Sequence, residues 1–177
     1  MPREGHEGRV SPRQVHVVGV AGSGKTTLAW HLGARLGAPV HNLDHIYYEG
    51  GCAGERPRDQ VVADLAAIVA EPAWVTEGSF VDWIDDVLAS AELIVWLDVA
   101  RPVVAWRIIK RHVTRRANPY GGIIPKWIRL VRYLAGRCPE SRREQKRVLA
   151  RYESKVRRIT SGSAARIVDL VAGPPRA

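Results

Sequence analysis

The 177-residue chain predicts a three-layer α/β fold, a five-stranded parallel sheet with helices on both faces. Three observations predict it. Short apolar, β-branched segments alternate with stretches of helical periodicity from one end to the other, the pattern of strands joined by crossover helices. The residues GVAGSGKTT at 19–27 join the first strand-like segment to the first helix-like one and fit the pattern G-x-x-x-x-G-K-[ST]. LIVWLDV at 93–99 is almost continuously apolar until Asp98, as a central strand covered on both faces must be.

The elements follow in order. QVHVVGV at 14–20 reads as a buried strand, and Leu28, Leu32 and Leu36 then recur every four residues on one helical face. Ala38-Pro39 breaks that helix, and PVHNLD at 39–44 reads as a short second strand ending in Asp44, followed by a loop over 45–58 rich in glycine. Pro57 suits a helix start, with Val61, Val62, Leu65, Ile68 and Val69 on one face until about Glu71-Pro72. AWVTEG at 73–78 is a third strand, a helix carries Trp83, Ile84, Val87 and Leu88, and ELIVWLDV at 92–99 is the fourth strand. Arg101-Pro102 opens a helix to about Arg116; after a break at 118–122, Trp127, Leu130, Val131 and Leu134 share one face of another. A long basic helix over about 141–159 and a last strand, ARIVDLV at 165–171, complete the reading. Trp74, Trp83, Trp96 and Trp106 are expected in the core. One domain is expected over 14–171, between flexible tails at 1–13 and 172–177.

A hydrophobic content of 46% supports a core built without disulfides or structural metal. Cys52 and Cys138 are far apart and outside any C-x-x-C spacing, so a reducing cytoplasm is the expected home. The polar N-terminus lacks an apolar signal core, and no apolar run approaches the roughly 20 residues that span a bilayer, so no membrane partner is expected. The net charge of +9 is uneven: residues 101–158 hold 18 Lys or Arg and 3 Glu, while the remainder is acidic. Such a segment suits either nucleic acid or the closing of a cover over a triphosphate. No oligomeric state is specified by composition or pattern.

The glycine motif carries the most specific chemistry. Glycines let the backbone turn tightly and aim N–H groups at an anion, and the helix that follows adds unpaired donors and a partial positive charge. Gly22, Ser23 and Gly24 form that cradle, Lys25 neutralises the β- and γ-phosphates, the Thr26 hydroxyl holds Mg²⁺, and Thr27 supports the α-phosphate. ATP and Mg²⁺ are therefore the expected cofactors. Asp44, at the end of the second strand, stands where a general base for an acceptor hydroxyl belongs. His41 and His45 flank it, but a strand-like segment does not set both on one helix face as a metal pair would need.

In its order of motifs the chain resembles the small P-loop kinases of the adenylate-kinase-like class, and among them the DNA topology modulation proteins. The matching residues are GVAGSGKTT, LDHIYY at 43–48, WVTEGSF at 74–80, LIVWLDV at 93–99 and RIIKR at 107–111, across about 14–171. The resemblance implies a P-loop NTPase fold with strand order 2-3-1-4-5 and a basic helical lid at about 111–139. It implies that Arg107 stacks on adenine and that Arg111 contacts the transferred phosphate, with Arg115 and Arg116 less specific. It also implies a role near Mg²⁺ for Glu77, where many relatives carry Asp, and for Asp98. The expected activity is transfer of the γ-phosphoryl group of ATP to a small acceptor.

Two other readings stay open on residues alone. Tyr120, Trp127 and Tyr133 among arginines suit a nucleic-acid groove regulated by nucleotide, although the spacing of Trp127, Leu130, Val131 and Leu134 favours packing. An ATPase without an acceptor is the third. No N-K-x-D motif for guanine recognition occurs.

Overall fold

A computed structural model describes residues 11–49, 54–114 and 142–173, with side chains on the helix ending at 114 described to residue 110. The lid expected at 111–139, the aromatic residues within it and the Arg111, Arg115 and Arg116 side chains lie outside the described residues.

The first strand, β1 (Gln14–Gly19), is buried along its length and runs into the glycine loop and helix α1 (Lys25–Leu36). β2 (Val40–Asn42) leads directly to a short helix, α2 (Leu43–Tyr47), and a small antiparallel hairpin, β3 (Tyr48–Glu49) with β4 (Gly54–Glu55). α3 (Arg58–Val69), β5 (Trp74–Gly78), α4 (Asp85–Ser90), β6 (Leu93–Leu97) and α5 (Arg101–Thr114) follow. The described chain resumes with α6 (Arg142–Leu149), a 3₁₀ turn (Ala150–Lys155), β7 (Val156–Ile159) and α7 (Ala164–Ala172).

The large sheet is parallel and ordered β2-β5-β1-β6-β7. Counted within this sheet alone the order is 2-3-1-4-5, as the resemblance implies, but its fifth strand is a different segment from the one expected. Alternation along each strand divides the core. Val15, Val17, Val75, Val95 and Leu97 face α1 and α7, whereas Val18, Trp74, Ile94 and Trp96 face α3, α4 and α6. Burial on both faces is what a parallel sheet covered by crossover helices requires.

Five expectations are corrected. Asp44 does not end a strand: Asn42 stops β2 by capping α2, its side-chain oxygen accepting the N–H groups of Asp44 (2.8 Å) and His45 (3.4 Å). The expected loop over 45–58 therefore holds most of α2 and the hairpin. The long helix expected over 141–159 ends at Leu149, because Val156–Ile159 pairs with β6 as the edge strand of the sheet. The segment 165–171 is helical, capped by the Ser163 hydroxyl on Arg166 N–H; Ile167, Val168 and Ala172 pack on Leu28, Ala29 and Leu32, while Leu170 points outward. In a short apolar run the two periods are easily confused, and the cap and the packing against α1 decide for helix. Trp106 is 59% exposed, with the Lys110 ammonium 5.0 Å from its ring centre, and is not core. Trp74 and Trp96 are buried as expected, and Trp83 is half-buried.

Candidate functional site

The site begins where β1 ends. Gly22 (φ 82°) and Gly24 (φ 104°) adopt left-handed backbone that side chains rarely tolerate, and the turn is closed by Ser23 N–H donating to Val20 O at 3.0 Å. Gly24 precedes α1 without any side-chain cap, and the helical ladder starts at Leu28 N–H to Gly24 O, 3.0 Å. The first-turn amides are thus left for an anion, with the helix dipole behind them. Arg107, on α5, reaches the same loop and donates from Nη1 to Ser23 O at 2.8 Å.

Lys25 and Thr26 open α1 and turn toward the end of β5. Glu77 there is buried, and its Oε1 accepts from the Thr26 hydroxyl at 2.9 Å and from the Asn42 amide at 2.7 Å. Its Oε2 lies 3.9 Å from Lys25 Nζ, itself only 7% exposed. Burial pushes the Glu77 carboxyl above its usual range; the Lys25 ammonium and the Thr26 hydroxyl oppose the shift, and the Asp44 carboxylate adds to it. β2 and β5 bring the group together through register, since Asn42 pairs with Glu77.

Asn42 therefore serves two groups. Its amide nitrogen holds Glu77, and its oxygen fixes the first turn of α2, where Asp44 sits. Gly78 permits this approach: a Cβ there would lie 3.1 Å from the Leu43 Cβ, tighter than ordinary contact. Among the described residues no hydrogen bond or ion pair engages the Asp44 carboxylate. An apolar-floored cleft of about 470 Å³ lies beside Asn42, between β2, α2 and α3; Arg56 on its wall is held by Asp64 at 2.6 Å.

Mg²⁺ takes oxygen ligands and keeps several waters and substrate phosphates around it. The Thr26 hydroxyl and Glu77 carboxylate, already in contact, are a donor pair of that kind, and they fit such an ion. Among the described residues no cluster of three His, Cys, Asp or Glu side chains forms a metal site of its own.

Asp98, expected near the metal, has other partners. It is buried at the end of β6 and ion-paired with Arg142 and Arg158, Arg158 Nε donating at 2.7 Å, while Arg142 Nη2 also donates to Val99 O at 2.8 Å. Two permanent cations lie against its carboxylate, so Asp98 anchors the ends of β6 and β7 to α6.

Of the residues expected from sequence, the structure unites Gly22, Ser23, Gly24, Lys25, Thr26 and Glu77, brings Arg107 onto the loop, and sets Asp44 in the first turn of the helix that Asn42 caps. Thr27 lies in the first turn of α1. Three features were missed. Asn42 had a signal, as Asn before an acidic helical turn is a helix-start pattern. The ring cluster of Tyr47, Tyr48, Phe80 and Trp83 joins segments far apart in sequence. Fully buried His16, whose Nδ1 lies 2.9 Å from Thr76 Oγ1, reads in sequence as an ordinary strand residue.

No protein-family model and no curated protein sequence matches the chain. Solved structures do match its fold. A gluconokinase from Sinorhizobium meliloti 1021 is 22% identical, the match covering 93% of each chain, with a TM-score of 0.57. A shikimate kinase from Bacteroides thetaiotaomicron is 17% identical over 90% of this chain and 98% of its own, TM-score 0.55. A shikimate kinase from Acinetobacter baumannii, solved with shikimate, is 19% identical over 90% and 92%, TM-score 0.52. The described residues have the α/β fold of these small P-loop kinases.

Proposed function

We propose that the protein is an ATP-dependent phosphotransferase acting on a small hydroxyl-bearing acceptor. The observation that carries this is the junction of two sites through one side chain: Asn42 binds Glu77, within reach of Lys25 and Thr26, and caps the turn bearing Asp44. A phosphate cradle alone would serve any nucleotide-binding protein. A carboxylate that no described residue engages supplies what transfer needs in addition.

In this reading the amides at 22–27 and the Lys25 ammonium bind the triphosphate, and Arg107 steadies the loop through Ser23 O and lies at the base side. Mg²⁺, held by Thr26 and Glu77, neutralises charge on the phosphates when bound. The acceptor oxygen forms a bond to the γ-phosphorus, the bond to the β,γ-bridging oxygen breaks with its electrons leaving on ADP, and the acceptor proton passes to Asp44. Positioning and charge neutralisation supply most of the rate. Arg111 is assigned to the transferred phosphate, one helical turn beyond Arg107. That the fold neighbours include a gluconokinase and a shikimate kinase supports the reaction class; the order of motifs supports kinship with the DNA topology modulation proteins. The basic balance of 101–158 is assigned to closing over phosphates, in a cytoplasmic enzyme; among the described residues no helix is long and apolar enough to cross a membrane.

The test is acceptor-dependent ADP release across a panel of hydroxylated metabolites, with Asp44→Asn as control. Loss of a general base is expected to cost about 10²–10⁴ in kcat while ATP affinity is retained. Equal turnover by Asp44→Asn would falsify the assignment. Steady hydrolysis without any acceptor would favour a plain ATPase, and salt-sensitive retention on DNA a nucleic-acid role.

A further inference from the structure

Two chain segments leave the candidate site side by side. One runs from Asn42 through α2 to Tyr48, the other from Glu77 through Gly78 to Trp83. They are joined in steps: Asn42 bonds Glu77, Leu43 touches Gly78, and then the rings meet. Tyr47 lies 5.5 Å from Phe80 and 4.9 Å from Trp83 between ring centres, and Tyr48 lies 4.8 Å from Tyr47 and 6.2 Å from Phe80. All four rings are only partly buried. Asp44 and Tyr47 are three residues apart on α2, so carboxylate and ring share one side of the turn, and Tyr48 follows as the extended cap whose N–H donates to Asp44 O. An acceptor that extends from Asp44 along the Tyr47 side of α2 would meet these rings.

The charge beyond Asp44 is acidic. Desolvation first and the Glu55 carboxylate next hold the Tyr47 phenol above its usual pKa, and Asp82 adds negative charge, with Arg58 opposing the shift. Lys25 faces Glu77, and Arg56 is taken by Asp64 and the Ile46 carbonyl. Among the described residues the ring-lined end therefore opposes an anionic substituent and favours a flat or apolar-faced neutral one, which aromatic rings bind through dispersion and stacking.

We infer that the acceptor is an uncharged, ring-bearing alcohol, a nucleoside or a neutral sugar, whose ring rests on Tyr47 and Phe80 while its hydroxyl meets Asp44. This deepens the phosphotransferase reading and rests on it. The reaction balances as above: the alcohol gains the phosphoryl group, ADP leaves, and the proton goes to Asp44.

The experiment pairs each neutral compound with an anionic counterpart on the full chain: nucleosides with their monophosphates, sugars with the matching sugar acids. Expected is a kcat/KM at least about tenfold higher for the neutral member. Turnover confined to the nucleoside arm identifies a base on the rings, and turnover confined to the sugar arm a pyranose or furanose face. Phe80→Leu and Tyr47→Ala are expected to raise acceptor KM about tenfold or more with KM for ATP within about twofold, and Tyr47→Phe, which keeps the ring, to raise acceptor KM less than Tyr47→Ala does. Preference for the anionic members, or an unchanged acceptor KM in correctly folded Phe80→Leu, overturns the inference. ATP binding with no neutral ring alcohol turned over also overturns it, whereas failure to bind ATP overturns the underlying reading as well.

Discussion

The phosphate side and the acceptor side of this molecule are built by opposite means. On the phosphate side the backbone makes the site: two left-handed glycines and an uncapped helix start present amides, and side chains such as Lys25 and Thr26 add to what the backbone already presents. On the acceptor side the backbone supplies position, through β2, α2 and the end of β5, and side chains from separate segments do the rest. A backbone site tolerates few sequences and leaves a contiguous motif. A side-chain site is assembled across about 35 residues of separation, here Asn42 to Glu77, and leaves only scattered residues.

The largest expected effect tests the phosphate side. Lys25 is the buried cation of the cradle, so Lys25→Ala is expected to lower kcat/KM by about 10³ or more, with weakened ATP binding. It also removes the ammonium facing Glu77, leaving that carboxylate less well compensated. Calorimetric titration with ATP·Mg²⁺ reads the binding loss directly. Unaltered affinity would mean that the amides suffice and that Lys25 belongs to the Glu77 network alone.

The same contrast explains what was legible in the sequence. The cradle, the parallel sheet and its first four strands could be read because glycine spacing, β-branched runs and crossover periodicity are local. The last strand was not. VRRI at 156–159 has two exposed arginines between two half-buried residues and looks like the continuation of a basic helix until β6 offers it an edge. ARIVDLV looks like a strand until Ser163 caps it and α1 receives its apolar face. Asp98 illustrates the limit for function: an acid at the end of a central strand suits a metal ligand, and only tertiary structure reveals Arg142 and Arg158 on it. Asp44 is singled out in the sequence for its chemistry but placed on the wrong element, because the capping role of Asn42 is not recognised there.

An intermediate effect breaks or sharpens the link between the two sides. Asn42→Ala deletes the donor to buried Glu77 and the cap of α2 together. An unsatisfied buried acceptor costs about 1–3 kcal/mol, and a lost cap about 1 kcal/mol. The informative readout is kinetic: if Asn42 couples the sides, kcat falls about tenfold or more and acceptor KM rises. If the sides are independent, Asn42→Ala lowers the melting temperature and leaves both constants of the folded enzyme unchanged. Asn42→Asp is the sharper variant, since it keeps the acceptor that caps α2 but sets a second carboxylate against Glu77.

The smallest effect concerns the ground beneath the cradle. His16 lies fully buried on β1, three residues before the loop, and burial first, then the Lys25 ammonium, lowers its pKa from 6.5 to about 3. The folded protein therefore holds His16 neutral where the unfolded chain would protonate it. Between pH 6.5 and about 3 the unfolded state binds the extra proton, so this residue's contribution is complete above 6.5 and is lost as pH falls. The slope approaches about 1.4 kcal/mol per pH unit below 6.5. Denaturant unfolding at pH 6.5 and 5.5 is expected to show this extra loss in the wild type and not in His16→Gln, which keeps a polar partner for Thr76 but does not titrate. Equal slopes in the two proteins would show that the imidazole reaches solvent or a proton donor. In that case the phosphate side would depend on side-chain plasticity as the acceptor side does, and the contrast between a rigid backbone cradle and an assembled pocket would weaken.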